Sequence, residues 1–227
     1  MTETRWWWIR HAPVTANQGR LYGQCDHPCD VEDPATFEAL ARLMPKDAVW
    51  VTSTLLRTVQ TADAIRQRMT ADLPEAQRYP ELMEQHFGDW QGRSYDEVKS
   101  GDLGHWHRFW LAPAETAPPN GESFVDLMRR VSAKIHDLNA KHTGRDIVAV
   151  THGGTIRAAL AEALGLEPEH ALRLSVDNCS LTRIDHVPGP IGSHDPNQSH
   201  AWRVETTNLS PRRLADSGHH ITPKPGL

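Results

Sequence analysis

Hydrophobic positions fall along this chain in short unalternating runs, each followed by a 3.6-residue pattern. Trp6-Trp7-Trp8-Ile9 opens the first run, and residues 5–9 read as a buried strand of aromatic and β-branched side chains. A turn-rich stretch follows. Pro34 then suits the first turn of a helix reaching about Met44, with Asp33 as its cap. AVWVTST at 48–54 predicts a second strand. In the next segment Leu56, Val59, Ala62, Ile65 and Met69 set out an apolar stripe for a helix. Ser123 caps a long amphipathic helix, DIVAV at 146–150 is apolar enough to be buried on both faces, and Gly165 ends the helix after it. CSLTRIDHV and AWRVETT read as two late strands.

Strands alternating with helices predict an α/β layered fold with a largely parallel sheet. Side chains alternate along a strand, so the three tryptophans cannot share a face and helices must cover both sides of the sheet. Residues 88–122 break the rhythm with five glycines, a Pro-rich segment and short aromatic helices. They read as an insertion over one end of a single domain spanning 1–227. The loop 188–200 is rich in Pro, Gly and Ser, and 210–227 reads as a frayed tail.

Composition narrows the classes. A net charge of −5 over 227 residues gives no basic footprint for nucleic acid and no pull toward anionic lipid. No apolar run approaches the length of a membrane span, and the N-terminus is not a signal peptide, so a cytoplasmic location is the default expectation. Three cysteines argue for a reducing compartment. Cys25 and Cys29 could form half of a metal site, but nothing completes it. Monomer and homodimer are both open.

The candidate chemistry sits where strands end. The first strand runs into Arg10-His11 and the third into Thr151-His152-Gly153-Gly154, and ligands of parallel sheets collect at carboxyl ends. A helix beginning at Gly153 or Gly154 aims N–H groups and a positive dipole end at the same edge. Arg57 falls in the first turn of the helix after the second strand. Two arginines, two histidines and a helix N-terminus repel one another unless an anion joins them. A phosphoryl group meets that need, since Arg forks grip phosphate oxygens and a neutral His can carry the group covalently. ELMEQHFGDWQG offers Glu81 and Glu84 as the acid for the leaving oxygen. A carboxyl beside a phosphate dianion holds its proton to higher pH, which suits that task.

At these residues the chain resembles the histidine phosphatase superfamily, the phosphoglycerate mutase-like proteins. The resemblance rests on IRHAPVTAN, VTSTLLRTVQTADAI, ELMEQHFGDWQG, NGESFVDLMRRV, AVTHGGTIRAAL and DNCSLTRI, in order over roughly 5–209. It implies a three-layer αβα sandwich whose mostly parallel sheet includes one antiparallel strand. It implies that His11 is the nucleophile, that Arg10, Arg57 and His152 form the phosphate pocket, and that Glu84 is the proton donor. Asn17 and the Gly153 amide would add hydrogen bonds, and Tyr22 and Gly23 would touch substrate. No metal and no cofactor are implied, because arginines and a helix end supply the positive charge.

Ala12 stands where Gly is usual, Gln91 where Glu is, and Thr58 where Ala is frequent. Residues 110–121 lack the Arg pair by which the mutase branch holds its sugar acid. The expected function is therefore hydrolysis of a small phosphorylated metabolite, with wording similar to the alpha-ribazole phosphatase and broad-specificity branch. Phosphoglycerate mutase-type transfer is the alternative, and a non-catalytic phospho-ligand module a second one. A Ser-His-Asp hydrolase lacks its G-x-S-x-G elbow. The insertion supplies Phe87, Trp90, Trp106, Phe109 and Trp110 beside His105, His107 and Arg108. That set could stack on a ring-bearing leaving group or simply form the insertion's own core.

Overall fold

The structure, a computed structural model, describes residues 2–70, 73–101, 103–188 and 200–212. The central strand β1 (Thr4–Arg10) pairs in parallel with β4 (Asp146–Thr151) on one side and antiparallel with β5 (Leu181–Pro188) on the other. Beyond β4 lie β2 (Val49–Thr52) and the two-residue edge strand β3 (Gln77–Arg78); beyond β5 lies β6 (His200–Leu209). The order is β3-β2-β4-β1-β5-β6. Among the described residues β5 is the one strand that runs against its neighbours on both sides.

Helices cover both faces. α1 (Pro34–Leu43) and α2 (Leu56–Arg66) pack on one side, α5 (Phe124–Lys141), α6 (Gly153–Leu164) and α7 (Pro168–Ala171) on the other. The tryptophan run divides as alternation requires. Trp6 and Trp8 stack at 4.7 Å in the α5/α6 core, while Trp7 lies in the α1/α2 core. Their indole N–H groups need partners in so dry a place. Trp6 donates to Asn139 at 2.8 Å and Trp7 to Asp146 at 2.9 Å.

The helix caps follow the sequence. Asp33 accepts from Thr36 N, Ser123 and Asp126 form a reciprocal capping box, and Gly165 ends α6 with φ of 61°. The stripe predicted for α2 is displaced. Leu56 is exposed, the helix stops at Arg66 before Met69, and the buried face carries Arg57, Thr58, Thr61, Ala62, Ala64 and Ile65. Thr58 and Thr61 tolerate burial by donating to the carbonyls of Leu55 and Arg57.

Between Gly88 and Ser123 the chain forms α3 (Tyr95–Gly101) and α4 (Leu103–Leu111) around a small core of Trp90, Val98 and Phe109. The Trp110 side chain, loop residues 189–199 and tail residues 213–227 fall outside the described residues. Among the described residues no helix is long and apolar enough to cross a membrane.

Candidate active site

Strands β2, β4 and β1 lie side by side and parallel, so their carboxyl ends deliver Ser53, His152, Arg10 and His11 to one edge. The His11 backbone N–H donates to Thr151 O at 2.9 Å, and Asn178 holds the His11 carbonyl at 2.7 Å. The His11 ring is 1% exposed, and its Nδ1 lies 2.7 Å from the Ala12 carbonyl. A carbonyl can only accept, so the ring proton sits on Nδ1 and the Nε2 lone pair is left bare. Burial, with Arg57 and Arg10 nearby, lowers the His11 pKa to about 3. The ring is therefore neutral and nucleophilic near neutral pH.

His152 is fully buried, 5.2 Å from His11 centroid to centroid. Its Nδ1 accepts from Arg57 Nε at 3.3 Å, which places the proton on Nε2, facing Ser53 Oγ at 2.8 Å. Burial and the adjacent Arg57 push its pKa well below the usual histidine value. Both ring nitrogens are thus occupied, and His152 orients Arg57 in this state.

Arg57 is fully buried, and its remaining contacts run to Gly23 O at 2.5 Å and Cys25 O at 2.9 Å, with the Tyr22 ring 5.0 Å from Cζ. Tyr22 and Gly23 therefore lie at the site, Gly23 through its carbonyl. A side chain there would strike Gln85 O, Gln91 and Phe87. Arg10 Nη1 donates to Val176 O at 2.6 Å, while its Nε is buried without a partner. That N–H is a donor available at the strand edge, beside the start of α6.

Glu84 reaches the start of α6, where Gly154 N donates to its two oxygens at 3.1 and 3.3 Å and Gln85 N donates to Oε1 at 3.0 Å. Glu81 instead pairs with Lys134 at 3.1 Å, so of the two acids only Glu84 joins the site. The Asn17 amide donates to Arg20 O within a turn, and among the described residues no hydrogen bond ties it to the other site residues. Gly153 sits at the α6 N-terminus beside Arg10.

The departures from the familiar motifs are absorbed locally. Ala12 is buried in the α1/α2 core, and its N–H donates to Thr61 at 2.9 Å. Gln91 Oε1 accepts from Gln24 N and Phe87 N, a task for which an amide oxygen serves. Thr58 Oγ1 lies 3.0 Å from Ser53 Oγ.

Sequence reasoning gave no role to Ser53, Asn178, Arg130, Glu122 or Arg157. Arg130 grips the carbonyls of Glu81, Met83 and Glu84 and pairs with Glu122, while Thr155 donates to Leu82 O and Met83 O. The segment that carries Glu84 is therefore held at four successive carbonyls. These residues lie inside the motif stretches already noted, and only their partners were hidden. Among the described residues no cluster of three His, Cys, Asp or Glu side chains could hold a metal ion.

The model of the histidine phosphatase superfamily (branch 1) matches residues 6–197. A glucosyl-3-phosphoglycerate phosphatase of Mycolicibacterium vanbaalenii is 32% identical, over 89% of this chain and 93% of that one. An adenosylcobalamin/alpha-ribazole phosphatase of Salmonella typhimurium is 28% identical, over 88% and 100%. The crystal structure of the alpha-ribazole phosphatase from Shigella flexneri superposes with a TM-score of 0.73 at 25% identity, over 91% of this chain and 97% of that one.

Proposed function

The chain belongs to the histidine phosphatase superfamily, and from that premise we propose that it is a phosphomonoester hydrolase working through His11. The observation that carries the proposal is the state of His11, which is buried, neutral, protonated on Nδ1 and bare on Nε2 at an edge rich in arginine. Nε2 attacks phosphorus, the P–O bond to the alcohol breaks, and the alcohol oxygen takes the proton of Glu84. The bond formed is a phosphohistidine. Glu84, now a carboxylate, removes a proton from water; the oxygen attacks phosphorus, the P–N bond breaks, and His11 is released with inorganic phosphate.

Charge on the transferring group is met by Arg10, Arg57 and the first amides of α6. Arg57 arrives already oriented, since His152, Gly23 and Cys25 hold it before any ligand binds. We place no metal in these steps.

The substrate is a small phosphorylated metabolite. Glucosyl-3-phosphoglycerate and alpha-ribazole phosphate, taken from the names of relatives, are the first esters to try. Phosphate release in EDTA is measured for the wild type and His11→Ala together. Release that persists in EDTA and disappears in the variant is expected, along with a phosphoenzyme trapped by rapid denaturation at alkaline pH. Full turnover by His11→Ala would overturn the proposal.

A further inference from the structure

Beside the phosphoryl site lies a second space, a cavity of about 270 Å³ walled by Trp90, Tyr95, Trp106 and Phe109, with two polar side chains, Gln85 and Arg157. Arg157 stands on α6, one turn after the start of the helix at Gly153. Its Nε donates to Leu174 O at 2.8 Å, which fixes the guanidinium from behind. The terminal nitrogens have no acceptor among the described residues. Arg157 Nη1 and the Arg10 guanidinium both come within 4 Å of one point beside Gly153. The side chain thus stands at the seam between the phosphoryl pocket and the aromatic cavity. Its charge is felt across that seam, where Glu84 and Arg10 act on it in opposite senses.

We infer that Arg157 is a specificity-determining residue that receives an anionic substituent, best a carboxylate, on the alcohol portion of the substrate, while the aromatic walls of the same cavity hold a ring of that portion. This rests on the phosphohydrolase reading. A guanidinium anchored through Nε presents its Nη pair as a fork, and that fork matches a carboxylate bidentately. An unpaired cation in a mostly apolar cavity is costly, and an anion from the ligand relieves the cost. Aromatic walls bind flat rings by stacking. The residues 110–121 contribute no cation, and Arg157 is the one cation among the residues that line this cavity.

Four esters separate these contributions: glycerol 1-phosphate, 3-phosphoglycerate, phenyl phosphate and 4-carboxyphenyl phosphate. They are assayed on the full-length wild type, Arg157→Met, Arg157→Lys and Trp106→Ala, with melting curves for each protein. The wild type should favour each acid ester over its neutral partner about 10- to 100-fold in kcat/KM, the range expected for a hydrogen-bonded charge, and mostly through KM. Arg157→Met should abolish that preference while leaving glycerol 1-phosphate unchanged, and Arg157→Lys should restore part of it. Trp106→Ala should raise KM for the two phenyl esters alone.

An equal loss on all four esters in Arg157→Met would make the residue a ligand of the phosphoryl group and overturn the inference; so would an unchanged preference. Should the wild type hydrolyse neither these esters nor glucosyl-3-phosphoglycerate and alpha-ribazole phosphate, the phosphohydrolase reading fails separately. Calorimetric binding of 4-carboxyphenyl phosphate against phenyl phosphate would then still decide the role of Arg157, equal affinities counting against it.

Discussion

Replacing Gly154 with alanine sets a methyl group inside the contact distance of Glu84 Oε1 and 3.2 Å from Leu127 Cδ1. Of these neighbours the carboxylate is the free end of a flexible side chain, so it yields first. Its bonds from the Gly154 amide, at 3.1 and 3.3 Å, are then lost or stretched. Stability should barely register the change: the helix gains about 0.5–1 kcal/mol from Gly→Ala, and the small shift of Leu127 offsets it. Chemistry should register it strongly, because a general acid contributes about 10²- to 10⁴-fold and a displacement near 1 Å forfeits about 100-fold.

The loss should depend on the leaving group. An alkyl phosphate needs a proton on its departing oxygen, and its kcat/KM should fall about 100-fold in Gly154→Ala. p-Nitrophenolate departs without one, so its kcat/KM, which reports only the first phosphoryl transfer, should stay near the wild-type value. Its kcat should still fall, because water attack on the phosphohistidine uses the same carboxylate as base. Stopped-flow measurement should accordingly show a burst of p-nitrophenolate followed by slow turnover. Equal losses in kcat/KM for both esters, or an unchanged alkyl rate, would show that the Gly154 amide does not place the acid.

Other consequences are as direct. His11 titrates near 3 in the folded protein and His152 well below its usual value, so each stabilises the fold fully above about pH 6.5. That contribution is lost as pH falls through the window between 6.5 and the folded values, at about 1.4 kcal/mol per pH unit for each histidine, which urea melts from pH 7 to pH 4 should record. Arg130→Met should cost about 2–4 kcal/mol in the same assay, since it leaves Glu81 O and one Glu122 oxygen without a donor and takes one of two donors from the carbonyls of Met83 and Glu84. Lysine there should recover only part, being a point charge rather than a fork. Ser53→Ala should cost about 1–3 kcal/mol by leaving the buried His152 Nε2 unpaired, and should raise KM for phosphate esters because the His152 hold on Arg57, one of three, is loosened.

The layered architecture and its strand ends were legible because they depend on local signals: apolar runs, Asp33 and Ser123 caps, and Gly165 at a left-handed position. The late strands were legible for the same reason, and the single antiparallel strand came with the family resemblance. The buried face of α2 was not legible. Periodicity weighs Leu56 and Val59 as core, whereas the fold buries Arg57, Thr58 and Thr61 to build the site. Only the partners make that burial tolerable, and they come from the Tyr22–Cys25 loop and from His152. β3 is too short for any alternation to show. Asn17 matched a motif, but its amide is turned to Arg20 O, a choice made by the turn around Gln18 and Gly19 at φ of 50° and 74°. The grip of Arg130 on four residues' worth of chain joins positions nearly fifty apart, beyond what spacing along a sequence reveals.

The site also explains how so much positive charge is kept at one edge without a ligand. Arg57 is withdrawn from water, and burial lowers its pKa, yet two carbonyls, the Tyr22 face and the Glu84 charge compensate it. Two histidines remain neutral, which removes the worst of the repulsion. Glu84 meanwhile lies on the α6 amide of Gly154, at the helix end where an incoming anion is also favoured. On the proposed mechanism an incoming phosphate dianion meets this carboxylate at the same helix end, where two anions repel. The proposed roles of Glu84 and of the phosphoryl group are thereby linked through one place, the amides that open α6.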